Sequence, residues 1–206
     1  MTQLKVLLVA MIAVIAGTAA VTTLPSRPAM AQAAYAEGDM VLGSADAPVT
    51  IIEYASMTCP HCATFHVETF KDFKAKYIES GKVRFIFREF PFDQFALQGS
   101  MLARCSGADR YFTMLDLLFR QQNKWAKSEN PTQALGQIAR FSGMSQETFD
   151  RCIGNETLMN QILKTRMTAH QEQGVGSTPT FIVNDDKYTG AMTLAEWDDI
   201  LAKYLN

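Results

Sequence analysis

Short β-branched runs alternate with longer stretches of helical period along this chain, and their order predicts the architecture. Val49-Thr50-Ile51-Ile52-Glu53-Tyr54 reads as a buried strand. Pro60 opens a helical pattern reaching about Tyr77, with Phe65, Phe70, Phe73 and Tyr77 recurring on the core side. Ser80-Gly81-Lys82 ends that helix, and Val83 to Phe90 forms a second strand stopped by Pro91. Strand, helix and strand make a βαβ unit, which favours parallel pairing of the two strands. Residues 32–48 are small and polar and read as extended chain.

From about Asp93 to Gln173 no strand pattern appears. Met101, Leu102 and Cys105 share one helical face, and Tyr111, Met114, Leu115, Leu118 and Phe119 make a stronger one. Pro131 starts another helix, with a stop at Gly143; Thr148–Ile153 and Leu158–His170 are helical too. A structureless loop of that length is unusual in a compact domain. The stretch therefore reads as a helical subdomain inserted into an α/β fold. Gly174 to Pro179 is a turn cluster, followed by a strand at Thr180–Val183, a hairpin through Asn184-Asp185-Asp186 into Lys187–Thr189, and a final helix from Leu194 to Leu205. Thr193 and Glu196 have the spacing of a capping box for that helix.

The N-terminus has a separate logic. Lys5 precedes eleven uncharged apolar residues, Val6 to Ala16, and Ala29-Met30-Ala31 has the form of a cleavage site. This is a secretory signal peptide over residues 1–31, cleaved before Gln32, with Ala34-Tyr35-Ala36 as a second candidate site. An uncleaved anchor is the alternative, although the apolar run is shorter than the roughly 20 residues of a membrane span. Either way the body is expected outside the cytoplasm. The 206 residues carry 48% hydrophobic and 19% charged positions and a formal charge of −2, which excludes a charged disordered tail. Without a basic surplus there is no electrostatic case for nucleic acid.

Four cysteines carry the chemistry. Cys59 and Cys62 form C-x-x-C; Cys105 and Cys152 stand alone. An exported compartment permits disulfides, and of the three possible pairings the spacing favours Cys59–Cys62 and Cys105–Cys152. The C-x-x-C follows a buried strand and opens a helix. Unpaired N–H groups and positive potential at a helix N-terminus stabilise thiolate, the reactive form of the thiol. Pro60 suits the first helical position because its missing N–H has no partner there anyway. Cys59 is then the attacking sulfur at the helix cap, and Cys62, one turn in, the more buried resolving sulfur, with His61 helping to stabilise the thiolate. Zinc binding is a competing reading, but zinc sites bring a second ligand pair and no other C-x-x-C or H-x-x-H exists here. An inert disulfide is another.

The segment Glu53-Tyr54-Ala55-Ser56-Met57-Thr58-Cys59-Pro60-His61-Cys62 resembles the active site of DsbA-type thiol–disulfide oxidoreductases, exported proteins with a thioredoxin-like fold and an inserted all-helical subdomain. Thr178-Pro179-Thr180-Phe181 resembles that family's cis-proline loop and following strand. The resemblance covers roughly Ala45 to the C-terminus. It implies thioredoxin-like parts at 32–92 and 174–206, with the helical insertion at 93–173. It also implies a cis bond before Pro179, with Thr178 offering backbone groups to an extended substrate. Thr178 stands where the best-known members carry Val, and is similar to isomerase-type relatives. Glu53 resembles the family's buried acid, a proton relay for Cys62; alternation alone leaves it open as an exposed strand-end residue. His66 and His170 read as surface or packing residues. By resemblance Cys105–Cys152 is a structural disulfide of the insertion.

These readings combine into a periplasmic dithiol oxidase, monomeric, that passes its Cys59–Cys62 disulfide to unfolded or reduced exported proteins. A DsbB-type membrane partner implied by the resemblance reoxidises it. No metal, flavin or nucleotide cofactor is called for. A disulfide isomerase or reductase is the alternative, and a non-enzymatic metal-binding module a more distant one.

Overall fold

A computed structural model of the chain describes residues 38–205, so the signal-peptide reading lies outside the described residues. Five strands form one sheet in the order β1-β3-β2-β4-β5: β1 is Met40–Leu42, β2 Val49–Ala55, β3 Val83–Glu89, β4 Thr180–Val183 and β5 Asp186–Thr189. β2 and β3 pair in parallel, as their connection through a helix requires; β1–β3, β2–β4 and β4–β5 are antiparallel. The two longest strands thus lie next to each other inside the sheet. Within the stretch read as extended, residues 32–48, β1 is a paired strand that the sequence reading did not single out. Three residues are too short to show a period, and only the free edge of β3 makes them a strand. At the turn after β1, Gly43 has φ +90°, and a Cβ there would stand 2.5 Å from the Val83 carbonyl oxygen. Only glycine fits that approach.

Both faces of β2 are covered. Val49, Ile51 and Ala55 point into the larger core, with Phe85 and Phe87 of β3 and Phe181 of β4. Ile52 and Tyr54 point the other way, against Ile86, Phe90, Ala169 and Val175. The larger core is filled by the helical run that begins at Pro60–Thr64. It continues through a π-helical turn at Phe65–Thr69, an α turn at Phe70–Phe73 and a second π turn at Lys74–Ile78. Phe65, Phe73, Phe181 and Trp197 meet there edge-on or tilted, with ring centroids 4.9–6.2 Å apart. Such geometry adds about 0.5–1.5 kcal/mol per pair to the area buried. Trp197 belongs to the last helix, Leu194–Leu201, which starts on the capping box expected from Thr193 and Glu196 and ends four residues before Leu205.

Between β3 and β4 the described residues are helical, as expected of the insertion: Gln94–Cys105, Tyr111–Arg120, Gln122–Trp125, Pro131–Phe141, Gln146–Ile153 and Glu156–Gln173, with a 3-10 turn at Ala108–Arg110. The fold is a thioredoxin fold carrying a helical insertion. Side chains of Asp93, Asn130, Ser145 and Asn155 accept from backbone N–H groups at the starts of four of these helices. The Glu156–Gln173 helix closes over the second face of the sheet through Ala169. Its left-handed cap, Gly174 at φ +60°, returns the chain toward β4. At the β4–β5 turn Asn184 sits at φ 51°; its N–H donates to Thr50 O and its side-chain oxygen accepts from Thr50 N.

Candidate functional site

The dithiol lies at the C-terminal end of β2. Cys59 is the N-cap residue of the helix, in extended conformation (φ −75°, ψ 120°), and Pro60 takes the first turn. Cys59 is half-buried and Cys62 fully buried; both are free thiols in this structure. Pro60 and His61 are exposed. The loop between strand and helix is tied down on several sides. Cys59 N donates to Ser56 O at 3.1 Å, and Thr58 Oγ1 donates to Asp93 Oδ2 at 2.6 Å. From the insertion, the buried Gln122 sends Nε2 to both Met57 O and Cys59 O, each at 2.9 Å. Gln122 escaped sequence reasoning. It stands 63 residues from Cys59, and no local pattern distinguishes it from any other glutamine on a helix.

The turn before β4 faces the dithiol. The Thr178–Pro179 peptide bond is cis. As a thiol, Cys59 donates from Sγ to Thr178 O at 3.2 Å. Thr178 Oγ1 is buried without a hydrogen-bond partner among the described residues, which leaves the hydroxyl free to donate to a thiolate at Cys59.

The two sulfurs are pushed in opposite directions. The Cys59 pKa falls from 9.0 to about 5, chiefly because the Cys62 thiol donates to it. Burial works against the shift; the Thr178 side chain and the backbone N–H groups of Cys62 and His61 add to it. Burial drives Cys62 well above its ordinary range, and donation to Cys59 and the nearby Glu53 charge push the same way. One cysteine is therefore a stabilised thiolate at neutral pH while its neighbour keeps its proton.

Glu53 is fully buried on β2. The exposed strand-end alternative fails because β2 has a covered face on both sides. Burial raises the Glu53 pKa, and His66 partly offsets this. Of the surface and packing alternatives for His66, the structure shows packing. The side chain is 2% exposed, and its Nε2 lies 2.8 Å from Glu53 Oε2. The available signal was its i, i+4 relation to Cys62, which puts both side chains on one helical face. His170 instead pairs Nδ1 with Val175 O, away from the dithiol.

Cys105 and Cys152 form a disulfide within the insertion, joining the Gln94–Cys105 helix to the Gln146–Ile153 helix. Among the described residues no group of three or more His, Cys, Asp or Glu side chains is placed to hold a metal, and no helix is long and apolar enough to cross a membrane.

A dithiol at a helix start beneath a cis-proline turn, on a sheet of this order, defines the thioredoxin class of redox folds. Comparison with known proteins agrees. Residues 35–203 match the thioredoxin family. A Rickettsia conorii protein named as a protein-disulfide oxidoreductase is 37% identical over 150 residues, 72% of this chain and 54% of its own length. The disulfide bond formation protein D of Bacillus subtilis is 28% identical over 172 residues, 80% of this chain and 74% of that protein. Among solved structures, Wolbachia pipientis alpha-DsbA1 superposes with a TM-score of 0.76 at 31% identity, covering 83% of this chain and 92% of that one. The chain belongs to the thioredoxin family and, within it, to the DsbA-type oxidoreductases. It spans about half the length of the Rickettsia relatives it matches.

Proposed function

We propose that this chain is an exported dithiol oxidase that donates the Cys59–Cys62 disulfide to reduced, folding proteins. The observation that carries the reading is the split acidity of the pair. A Cys59 thiolate stabilised to a pKa of about 5 favours the reduced form, and a favoured reduced form makes the disulfide an oxidant. A substrate thiolate attacks Cys59 Sγ; the Cys59–Cys62 bond breaks and its electron pair leaves on Cys62. Glu53 supplies the proton that neutralises Cys62. A second substrate thiolate attacks the substrate sulfur of the mixed disulfide and expels Cys59 as thiolate. The substrate's two sulfurs have then lost two electrons, and the dithiol has gained them. The Thr178 turn offers backbone groups to an extended substrate segment beside Cys59.

The partners in this reading are unfolded or reduced exported proteins, with a DsbB-type membrane protein restoring the disulfide. The chain acts in the periplasm as a monomer, without metal or organic cofactor, after residues 1–31 are removed as a signal peptide. Thr178 before the cis-proline favours a second reading, a disulfide isomerase or reductase. A redox titration against glutathione separates the two. A potential near about −120 mV supports the oxidase, and one near about −270 mV a reductase. A Cys62→Ser variant is expected to accumulate mixed disulfides through Cys59; no trapped thiol protein from an oxidising compartment refutes both readings.

A further inference from the structure

Glu53 is held on one side only. Oε2 meets His66 Nε2 at 2.8 Å, whereas Oε1 is buried and has no hydrogen-bond partner among the described residues. A buried carboxyl oxygen left unpaired is costly, and in native proteins such an atom calls for an explanation. The Glu53 charge helps to push the Cys62 thiol up, and the Cys59 charge in turn adds to the raised Glu53 pKa.

His66 is itself fixed. Its ring stacks on Phe119 at 4.4 Å and 13°, and Phe65, Phe70 and Phe87 surround it at 4.8–5.8 Å. Three of these rings come from the thioredoxin part, and Phe119 comes from the Tyr111–Arg120 helix of the insertion. The ring sits in the π turn that follows the dithiol's own helical turn. Single π turns inside α-helices are frequent at functional sites. Held among these rings, the imidazole places Nε2 against Glu53 Oε2.

We propose that His66 is the positioning residue of the proton relay: by binding Oε2 it fixes the Glu53 carboxyl and leaves Oε1 as the one oxygen that exchanges a proton with Cys62. The helical insertion thereby acts on the redox step, since Phe119 forms the floor on which the His66 ring rests. This rests on the reading of Glu53 as the proton source for Cys62. When a thiolate opens the Cys59–Cys62 bond, one proton leaves Glu53 Oε1 for Cys62 Sγ, and the carboxylate that remains keeps the His66 N–H bond. The ionisable groups around the pair are few. Cys59 and Cys62 lie on the helix side. Beyond them stands the Glu89–Arg104–Tyr111 cluster, in which Arg104 binds Glu89 at 2.6 Å and Tyr111 responds to the Glu53 charge.

The test is the rate at which dithiothreitol reduces the oxidised full-length protein between pH 4 and 8, corrected for the thiolate fraction of the reagent. Wild type is expected to slow as the Glu53 proton is lost. Glu53→Gln should abolish that limb. His66→Phe, which fills the cage but offers no N–H, should move the limb up by on the order of one pH unit, because the buried carboxyl then keeps its proton longer. His66→Gln, whose amide can still donate to Oε2, should bring it back toward wild type. If His66→Phe folds poorly, His66→Asn, too short to reach Oε2, carries the same expectation as His66→Phe. An unmoved limb in the variant that lacks the bond overturns the His66 inference while leaving Glu53 in place. A limb that survives Glu53→Gln overturns the Glu53 reading instead.

Discussion

Cys59 Sγ lies 3.2 Å from the carbonyl oxygen of Thr178, although 119 residues separate them in sequence. The contact exists because β2 pairs with β4 from Ile51–Val183 to Tyr54–Thr180, which brings the turn before β4 beside the loop after β2. The insertion lies between the two in sequence, and its length does not disturb this register. The Cys59 sulfur thus sits between a helix start and a strand start, and both supply groups that lower its pKa.

The first expectation follows from the acidity of that sulfur. Thiolate absorbance near 240 nm in the reduced protein should titrate with a midpoint at about pH 5. Cys62→Ala removes the largest stabilising contact, so its midpoint should move upward toward the ordinary cysteine value. A midpoint unchanged in Cys62→Ala contradicts the assigned cause.

Linkage gives the second. Cys59 is more acidic folded than unfolded, so the reduced protein gains a stabilisation present above pH 9.0 and lost as pH falls through about 5. The disulfide form has no such group. The melting-temperature advantage of the reduced over the oxidised protein should therefore shrink steadily from pH 7 to pH 4. Calorimetry of both forms in matched buffers measures it, and a constant gap refutes it.

Gln122→Met keeps the volume of the side chain and removes its donor. Cys59 O still receives Ala63 N, but Met57 O loses the Gln122 N–H. A buried carbonyl deprived of its donor costs about 1–3 kcal/mol. Urea unfolding of the variant should show that loss. The freed loop should also raise the thiolate midpoint, because the N–H groups around Cys59 are no longer held in place.

Replacing Cys105 and Cys152 together by Ala opens a crosslink of sequence separation 47. The chain-entropy relation gives a loss of about 4 kcal/mol for such a loop. Equilibrium unfolding at fixed pH, with the Cys59–Cys62 pair reduced in both proteins, checks it. A loss below about 1 kcal/mol sets the entropic account aside for this disulfide.

Much of this was written locally in the sequence. The strand before Cys59, the proline after it, the turn cluster at Gly174–Pro179 and the capping box at Thr193 each depend on neighbours a few residues away. Short-range sterics and hydrogen bonding decide such features. The pairing of β2 with β3 follows from the connecting helix by handedness and reach. β1 was not legible, because three residues carry no period and need the β3 edge to become a strand.

The buried chemistry belonged to the tertiary structure. Alternation along Val49–Ala55 left Glu53 open to solvent, and only the packing of helices on both faces of the sheet buried it. His66 looked like an ordinary helical histidine until the Phe119 ring of the insertion closed over it and Glu53 came within 2.8 Å. Gln122 reached the dithiol loop from a separate helix. Sequence determined which residue types stand beside one another along the chain, and so where thiolate chemistry was possible. Desolvation and through-space charge act between segments that only folding brings together, and they decided how the acidities of those groups shift.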